Sequence, residues 1–171
     1  MLIVSGAKAL STFKSQRLLA DLQAMEPNIV GLSSRYVHVV SVSQLLDEPQ
    51  QQQLQDLLHY GEEFNGEGFS DADFDAVFVI TPRIGTISPW SSKATDIARN
   101  SGLDKVQRIE RVTVYWLQTT SELTSEQRQA VAAKLHDRMT QSVLASVMRS
   151  CNLAATAWRC STLNSLVVCN Q

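Results

Sequence analysis

The sequence predicts an α+β protein built from two β-α-β-β-α units packed as a pseudo-dimer. Three observations carry that expectation. Strand-like alternation and helix-like spacing follow one another twice along the chain. Capping residues and glycines fall where each helix should begin and end. Each unit is too small to bury enough apolar surface alone, so the two should share a core.

The first unit opens on Leu2–Val4, a β-prone stretch bounded by Ser5 and Gly6. From Ala9 to Met25, Leu10, Phe13, Leu18, Leu22 and Met25 mark a helix with a broad apolar face, stopped by Pro27. NIVGLSSRYVHVVSV alternates on either side of Ser33-Ser34 and is expected to form two antiparallel strands. Asp47 is a good N-cap, Pro49 sits in the first turn, and Leu54, Leu57 and Leu58 form a stripe ending at Gly61. The polar stretch Glu62 to Asp75 reads as an exposed connector.

The second unit repeats the pattern. Val77–Ile80 is a buried strand, Trp90–Asn100 a helix stopped by Gly102, and VQRIER with the following alternation to Gln118 supplies two more strands. Thr124 and Gln127 have capping-box spacing. Val131, Leu135, Met139 and Val143 recur every four residues and predict one long helix.

Composition narrows the function. The chain has 171 residues, 44% hydrophobic and 19% charged, with a net charge of −2. That balance gives no electrostatic reason to expect nucleic acid as a partner. No apolar run approaches the roughly 20 residues of a membrane helix, and the N-terminus lacks a secretory pattern, so a cytoplasmic location is expected. Cys151, Cys160 and Cys169 are odd in number and too far apart for paired zinc ligands, which argues against a disulfide framework and a metal site. His38 is expected to be a hydrogen-bonded structural residue, His59 to favour a helix C-terminus, and His136 to be exposed. The glutamines Gln50 to Gln53 read as a helical surface.

The segment Thr81 to Asn100, TPRIGTISPWSSKATDIARN, is the most unusual in the chain. Pro82 and Pro89 restrict the backbone, Gly85 permits a tight turn, and Ser88, Ser91 and Ser92 can cap the next helix or hold an anion. Arg83 and Lys93 add positive charge on either side. Such a strand-loop-helix lacks the phosphate-binding G-x-x-x-x-G-K-[ST] pattern. A capped helix with a rigid lead-in is the simpler reading.

This segment closely resembles the TPRPGTISPWSSKATDIA signature of large-type phosphoribosylformylglycinamidine synthases, with Ile84 where proline is usual. LIVSGAKALSTFKSQRLLA, RYVHVV, LLHYG, GLDKVQRIERVTVYW and LTSEQRQAVAAKLHDRMTQSV resemble successive blocks of the same N-terminal region. The resemblance covers residues 1–148. It implies a docking domain like a fused pair of the small accessory subunit of the split synthase, packed between synthetase and glutaminase domains. It also implies that ATP and magnesium act elsewhere in the parent enzyme. No residue here is expected to be catalytic, and no cofactor or metal is expected in this chain.

Arg83, Thr86, Ser88, Trp90, Ser91, Ser92 and Lys93 are the expected docking residues, with Trp90 either an interface anchor or part of the domain's own core. The alternative function is a small anion- or nucleotide-binding module using the Arg83–Lys93 loop. Residues 149–171 depart from the family pattern and are expected to be a divergent tail, from a truncated or frame-shifted product. Exposed docking faces should favour self-association.

Overall fold

The computed structural model describes residues 1–64 and 76–148. The three cysteines, the tail and most of the polar connector lie outside the described residues. The order of elements is β1 (Leu2–Lys8), α1 (Thr12–Met25), β2 (Ile29–Val42), α2 (Glu48–Leu57), β3 (Ala76–Pro82), α3 (Pro89–Asn100), β4 (Val106–Thr119), α4 (Ser125–Leu135) and β5 (Gln141–Met148). The five strands form one sheet in the order β1-β2-β4-β3-β5, with every neighbouring pair antiparallel.

Two strand expectations need correction. The segment around Ser33-Ser34 is one strand of 14 residues, β2, and Val106–Thr119 is likewise one strand, β4. The pattern is therefore β-α-β-α twice, followed by β5, rather than β-α-β-β-α twice. Serine supplied the expected break, but nothing forces a turn there. Pairing with β4 is continuous from Gly31↔Gln118 to Ser41↔Arg108. The Ser34 carbonyl also accepts from Ala9 N–H at 3.1 Å. A backbone satisfied on both sides has no reason to turn. For the same reason β1 runs through Ser5 and Gly6 to Lys8, pairing with β2 beyond the expected end.

The third correction concerns α4. The expected long helix ends at Leu135, and His136 is already extended, with φ −132° and ψ 151°. The Asp137 carboxylate then accepts from Met139 N–H at 2.8 Å and from the Thr140 hydroxyl at 3.0 Å, closing a turn of the kind Asp favours. The next residues, rich in Val and Ser, pair with β3 from Pro82↔Gln141 to Ala76↔Met148. Sheet pairing along β3 thus prevails over a four-residue apolar spacing that fits either structure. His136, expected to be exposed, is part-buried, with Nδ1 against the Ala132 carbonyl.

The caps behave as their sequences indicate. Asp47 and Gln50 form a reciprocal capping box at α2, and Thr124 and Gln127 form another at α4. Gly102 follows α3 with φ +89°. Gly61 is also left-handed, at φ +82°, but Leu58 is the C-cap of α2, so this glycine turns the chain after the helix has ended.

Side-chain alternation on the strands sorts the apolar residues by face. On one face α1 and α4 cover Ile29, Leu32, Phe78, Ile80 and Leu117 through Leu22, Val131 and Leu135. On the same face α2 and α3 cover Val40, Val106 and Ile109 through Leu54, Ala94 and Ala98. Complete burial of each such Leu, Ile or Phe contributes about 1.5–3 kcal/mol. Val37, Val39, Val112 and Val114 form a separate buried layer on the opposite face.

Candidate docking site

The segment from Arg83 to Lys93 joins β3 to α3, and its backbone is tied down at several points. Arg83 N–H donates to the Thr140 carbonyl at 2.9 Å, fixing the loop to the start of β5. Thr86 N–H donates to the Arg83 carbonyl at 3.1 Å, and Gly85 lies between them at φ +84°. A turn closed in this way with left-handed glycine at its third position is of type II, which favours proline at the second. Ile84 occupies that second position. The Thr86 hydroxyl reinforces the turn by donating to the Arg83 carbonyl at 2.6 Å.

Arg108, from β4, reaches under the turn. Its Nη2 donates to the Thr86 carbonyl at 3.1 Å, while its Nε donates to Glu110 Oε1 at 3.1 Å. A cavity of only about 30 Å³ remains between turn and sheet. The loop is therefore packed and hydrogen-bonded, yet Ile84 and Ile87 stand 53% and 61% exposed upon it. Neither isoleucine was among the docking residues expected from the sequence, where Ile84 stood out only as a departure from the motif's proline. Apolar residues on a constrained surface turn were the available signal.

Past the turn, the Ser88 hydroxyl accepts from Ser91 N–H at 3.0 Å and caps α3, with Pro89 at the first helical position. The Ser92 hydroxyl donates to the Ser88 carbonyl at 3.5 Å. Ser91 is buried, and its hydroxyl has no hydrogen-bond partner among the described residues. Its carbonyl accepts from Thr95 Oγ1 at 2.8 Å, and that hydroxyl accepts from Ile109 N–H at 3.0 Å, which joins α3 to β4. Arg83, Thr86, Ser92 and Lys93 are exposed, whereas Ser88 and Trp90 are half-buried.

Trp90 packs against the core between α2, α3 and the sheet and meets a polar aromatic cluster. Its ring stacks on His38 at 5.4 Å between centroids and lies 6.3 Å from Tyr60. The Arg111 guanidinium sits between two rings, 4.7 Å from the Trp90 centroid and 4.3 Å from that of Tyr36. His38 Nε2 is 2.8 Å from the Tyr60 hydroxyl, which also receives Arg111 Nη1 at 3.4 Å. Burial, reinforced by the Arg111 charge, pushes the His38 pKa down to about 4; the Val4 backbone weakly opposes the shift. Nδ1 itself has no partner at hydrogen-bonding geometry among the described residues. The imidazole is thus neutral near pH 7, a structural histidine as expected. Burial also raises the Tyr60 pKa, against the pull of Arg111.

Tyr36, Tyr60 and Arg111 were missed in the sequence because only strand register and the fold of the segment after α2 bring them to Trp90. His38 lies opposite Arg111 in the β2–β4 ladder. No local spacing reveals that relation.

No group of three or more His, Cys, Asp or Glu among the described residues could hold a metal ion, and no helix among them is long and apolar enough to cross a membrane. Fold and surface together define an antiparallel α+β module that presents a braced, partly apolar turn.

Residues 35–153 match the family model described as formylglycinamide ribonucleotide amidotransferase N-terminal. The match spans more than half of the chain, and the protein belongs to this family. It is thereby related to the N-terminal domain of phosphoribosylformylglycinamidine synthase, an enzyme of purine biosynthesis.

Proposed function

We propose that this chain is a non-catalytic docking and scaffolding part of a cytoplasmic phosphoribosylformylglycinamidine synthase. The parent enzyme uses ATP and glutamine to convert formylglycinamide ribonucleotide to its amidine, as a ligase with glutamine amidotransferase activity. Residues 1–148 form the docking unit, and its partners are the synthetase and glutaminase domains. The exposed pair Ile84 and Ile87 on a hydrogen-bonded turn is the observation that carries this reading. Apolar side chains held rigidly at the surface cost little further entropy on association. Arg83 and Lys93 frame them with positive charge.

The unit acts as a fused pair. Tyr36 faces Thr113 near the middle of the β2–β4 ladder, and strands of equal length run away from that point. Leu32↔Leu117 and Val40↔Ile109 lie at matching distances on either side. Such a register supports a pseudo-two-fold relation between the halves. The same exposed surface would make the isolated chain prone to self-association.

The competing reading, an anion- or nucleotide-binding module at the Arg83–Lys93 loop, has less support. The Ser88 hydroxyl is already committed to the helix cap, and Ser91 is buried. Co-expressing the 171-residue chain with the synthetase–glutaminase remainder as a second polypeptide tests the docking reading. The two should co-purify and form the amidine together. Ile87→Asp should abolish co-purification while leaving the chain folded by circular dichroism. Absence of association with the unaltered chain would refute docking.

A further inference from the structure

A second site lies away from the docking loop, at the β1 edge of the sheet. The chain leaving α2 wraps around this edge, and Lys8 N–H donates to the Glu62 carbonyl at 3.0 Å. Tyr60 stays on the helix-covered face beside His38, whereas Phe64 reaches Arg35 and Trp116 on the other. Between the wrap and β1 is a cavity of about 530 Å³, within the size range of small-molecule sites. Ser5, Gly6, Arg35, Tyr60, Gly61 and Phe64 are among its lining residues.

Arg35 is held as an anchor. Its Nε donates to the Gly6 carbonyl at 2.9 Å, and its guanidinium lies 5.1 Å from the Phe64 ring centroid. One bond to backbone and one aromatic face fix the plane of the fork. Neither terminal nitrogen has a carboxylate partner among the described residues. Glu63 also borders the cavity, but its carboxylate is 3.6 Å from His59 Nε2 and its side chain is 70% exposed. Partial burial lowers the Arg35 pKa, so the guanidinium is partly desolvated, and no carboxylate among the described residues pairs with it. With Nε committed to Gly6, the two terminal nitrogens form the edge that matches an oxyanion in bidentate geometry.

We propose that this cavity binds a small oxyanion, a phosphate or carboxylate group on a compact apolar body, with the Arg35 guanidinium as its anchor and Phe64 beside it. The cavity lies apart from the Arg83–Thr86 turn, although its lining residue Tyr60 also neighbours Trp90.

The test is a nuclear magnetic resonance titration of the isotope-labelled 171-residue chain at constant ionic strength. Inorganic phosphate and phenyl phosphate form one pair of probes, acetate and benzoate the other. Saturable shifts of the Arg35 Nε–H and of the Ser5–Ala7 and Gly61 amides with one pair identify which oxyanion the site takes. Tighter binding of the aromatic member supports the apolar body. Arg35→Gln should weaken binding about tenfold or more, the loss expected for a charge-assisted bidentate contact. Because Arg35 also bonds to Gly6, Ser5→Asp provides a second variant, placing a competing carboxylate in the cavity with Arg35 intact. It should weaken binding similarly. Non-saturating shifts with all four probes, or binding undiminished in Ser5→Asp, would overturn the proposal.

Discussion

Trp90 of α3 lies flat against His38 of β2, with 5.4 Å between ring centroids and 22° between their planes. This contact binds the helix that follows the Arg83–Thr86 turn to the centre of the sheet, and the Arg111 guanidinium lies 4.7 Å from the Trp90 ring centroid. Trp90→Ala would remove a part-buried ring, strip Arg111 of one aromatic neighbour and expose a neutral imidazole. A loss of about 2–3 kcal/mol is expected, below the range for a fully buried Trp because this one is half-exposed. Urea unfolding of both proteins measures it. A change below about 0.5 kcal/mol, the usual limit for a surface substitution, would show that the cluster contributes little to stability.

The depressed His38 pKa makes stability depend on pH. The folded imidazole protonates near pH 4, while the unfolded one does so near its ordinary value of 6.5. The unfolded state therefore binds the extra proton first as pH falls. The contribution is fully present above about pH 6.5 and is lost between there and pH 4. The full difference corresponds to about 3 kcal/mol. Denaturation midpoints at pH 7, 5.5 and 4.5 should fall in order. His38→Gln should flatten that part of the profile, and an equal slope in the variant would assign the effect to other groups.

Ile84 stands at the second position of a type II turn, where proline is favoured. Ile84→Pro should stabilise the chain by about 0.4–1 kcal/mol by restricting the unfolded state. Gly85→Ala should destabilise it by about 1–2 kcal/mol, because a left-handed φ of +84° strains an L-residue even though the space around Gly85 is open. Paired thermal melts distinguish the two. Opposite signs are expected, and a destabilised Ile84→Pro would mean that the turn departs from type II geometry.

Gly6 is constrained by space. A Cβ placed there would lie 2.5 Å from His38 Cε1 and 3.0 Å from the Tyr36 carbonyl oxygen. Gly6→Ala must displace the imidazole or bend β1, and a loss of about 1–3 kcal/mol is expected. The imidazole proton resonances of His38 should shift as well. An unchanged His38 spectrum together with an unchanged unfolding midpoint would show that β1 yields freely.

Local chemistry was legible in the chain. Asp47, Thr124 with Gln127, and the glycine after α3 each act through atoms within about four residues, so their types and spacing sufficed to place the starts of α2 and α4 and the α3 stop. The long Thr81–Asn100 motif was equally explicit about family, and the residue match from 35 to 153 agrees with it. Of the docking residues read from that motif, Arg83, Thr86, Ser92 and Lys93 lie at the surface, whereas Ser91 is buried and Trp90 turns partly inward. Which side of a helix faces the sheet depends on packing that a motif does not encode.

Amino-acid order by itself determined the helix caps, the glycine-bearing turn, the apolar stripes and the family. Tertiary structure alone decided that Ser33-Ser34 continues a strand, that the chain after Leu135 joins β3, and that Arg111 and Tyr60 meet His38 and Trp90. The physical reason is range. A cap or turn is satisfied by its neighbours along the chain, whereas a strand, its register and the side chains it brings together are stable only once a distant partner supplies the other half of the hydrogen bonds.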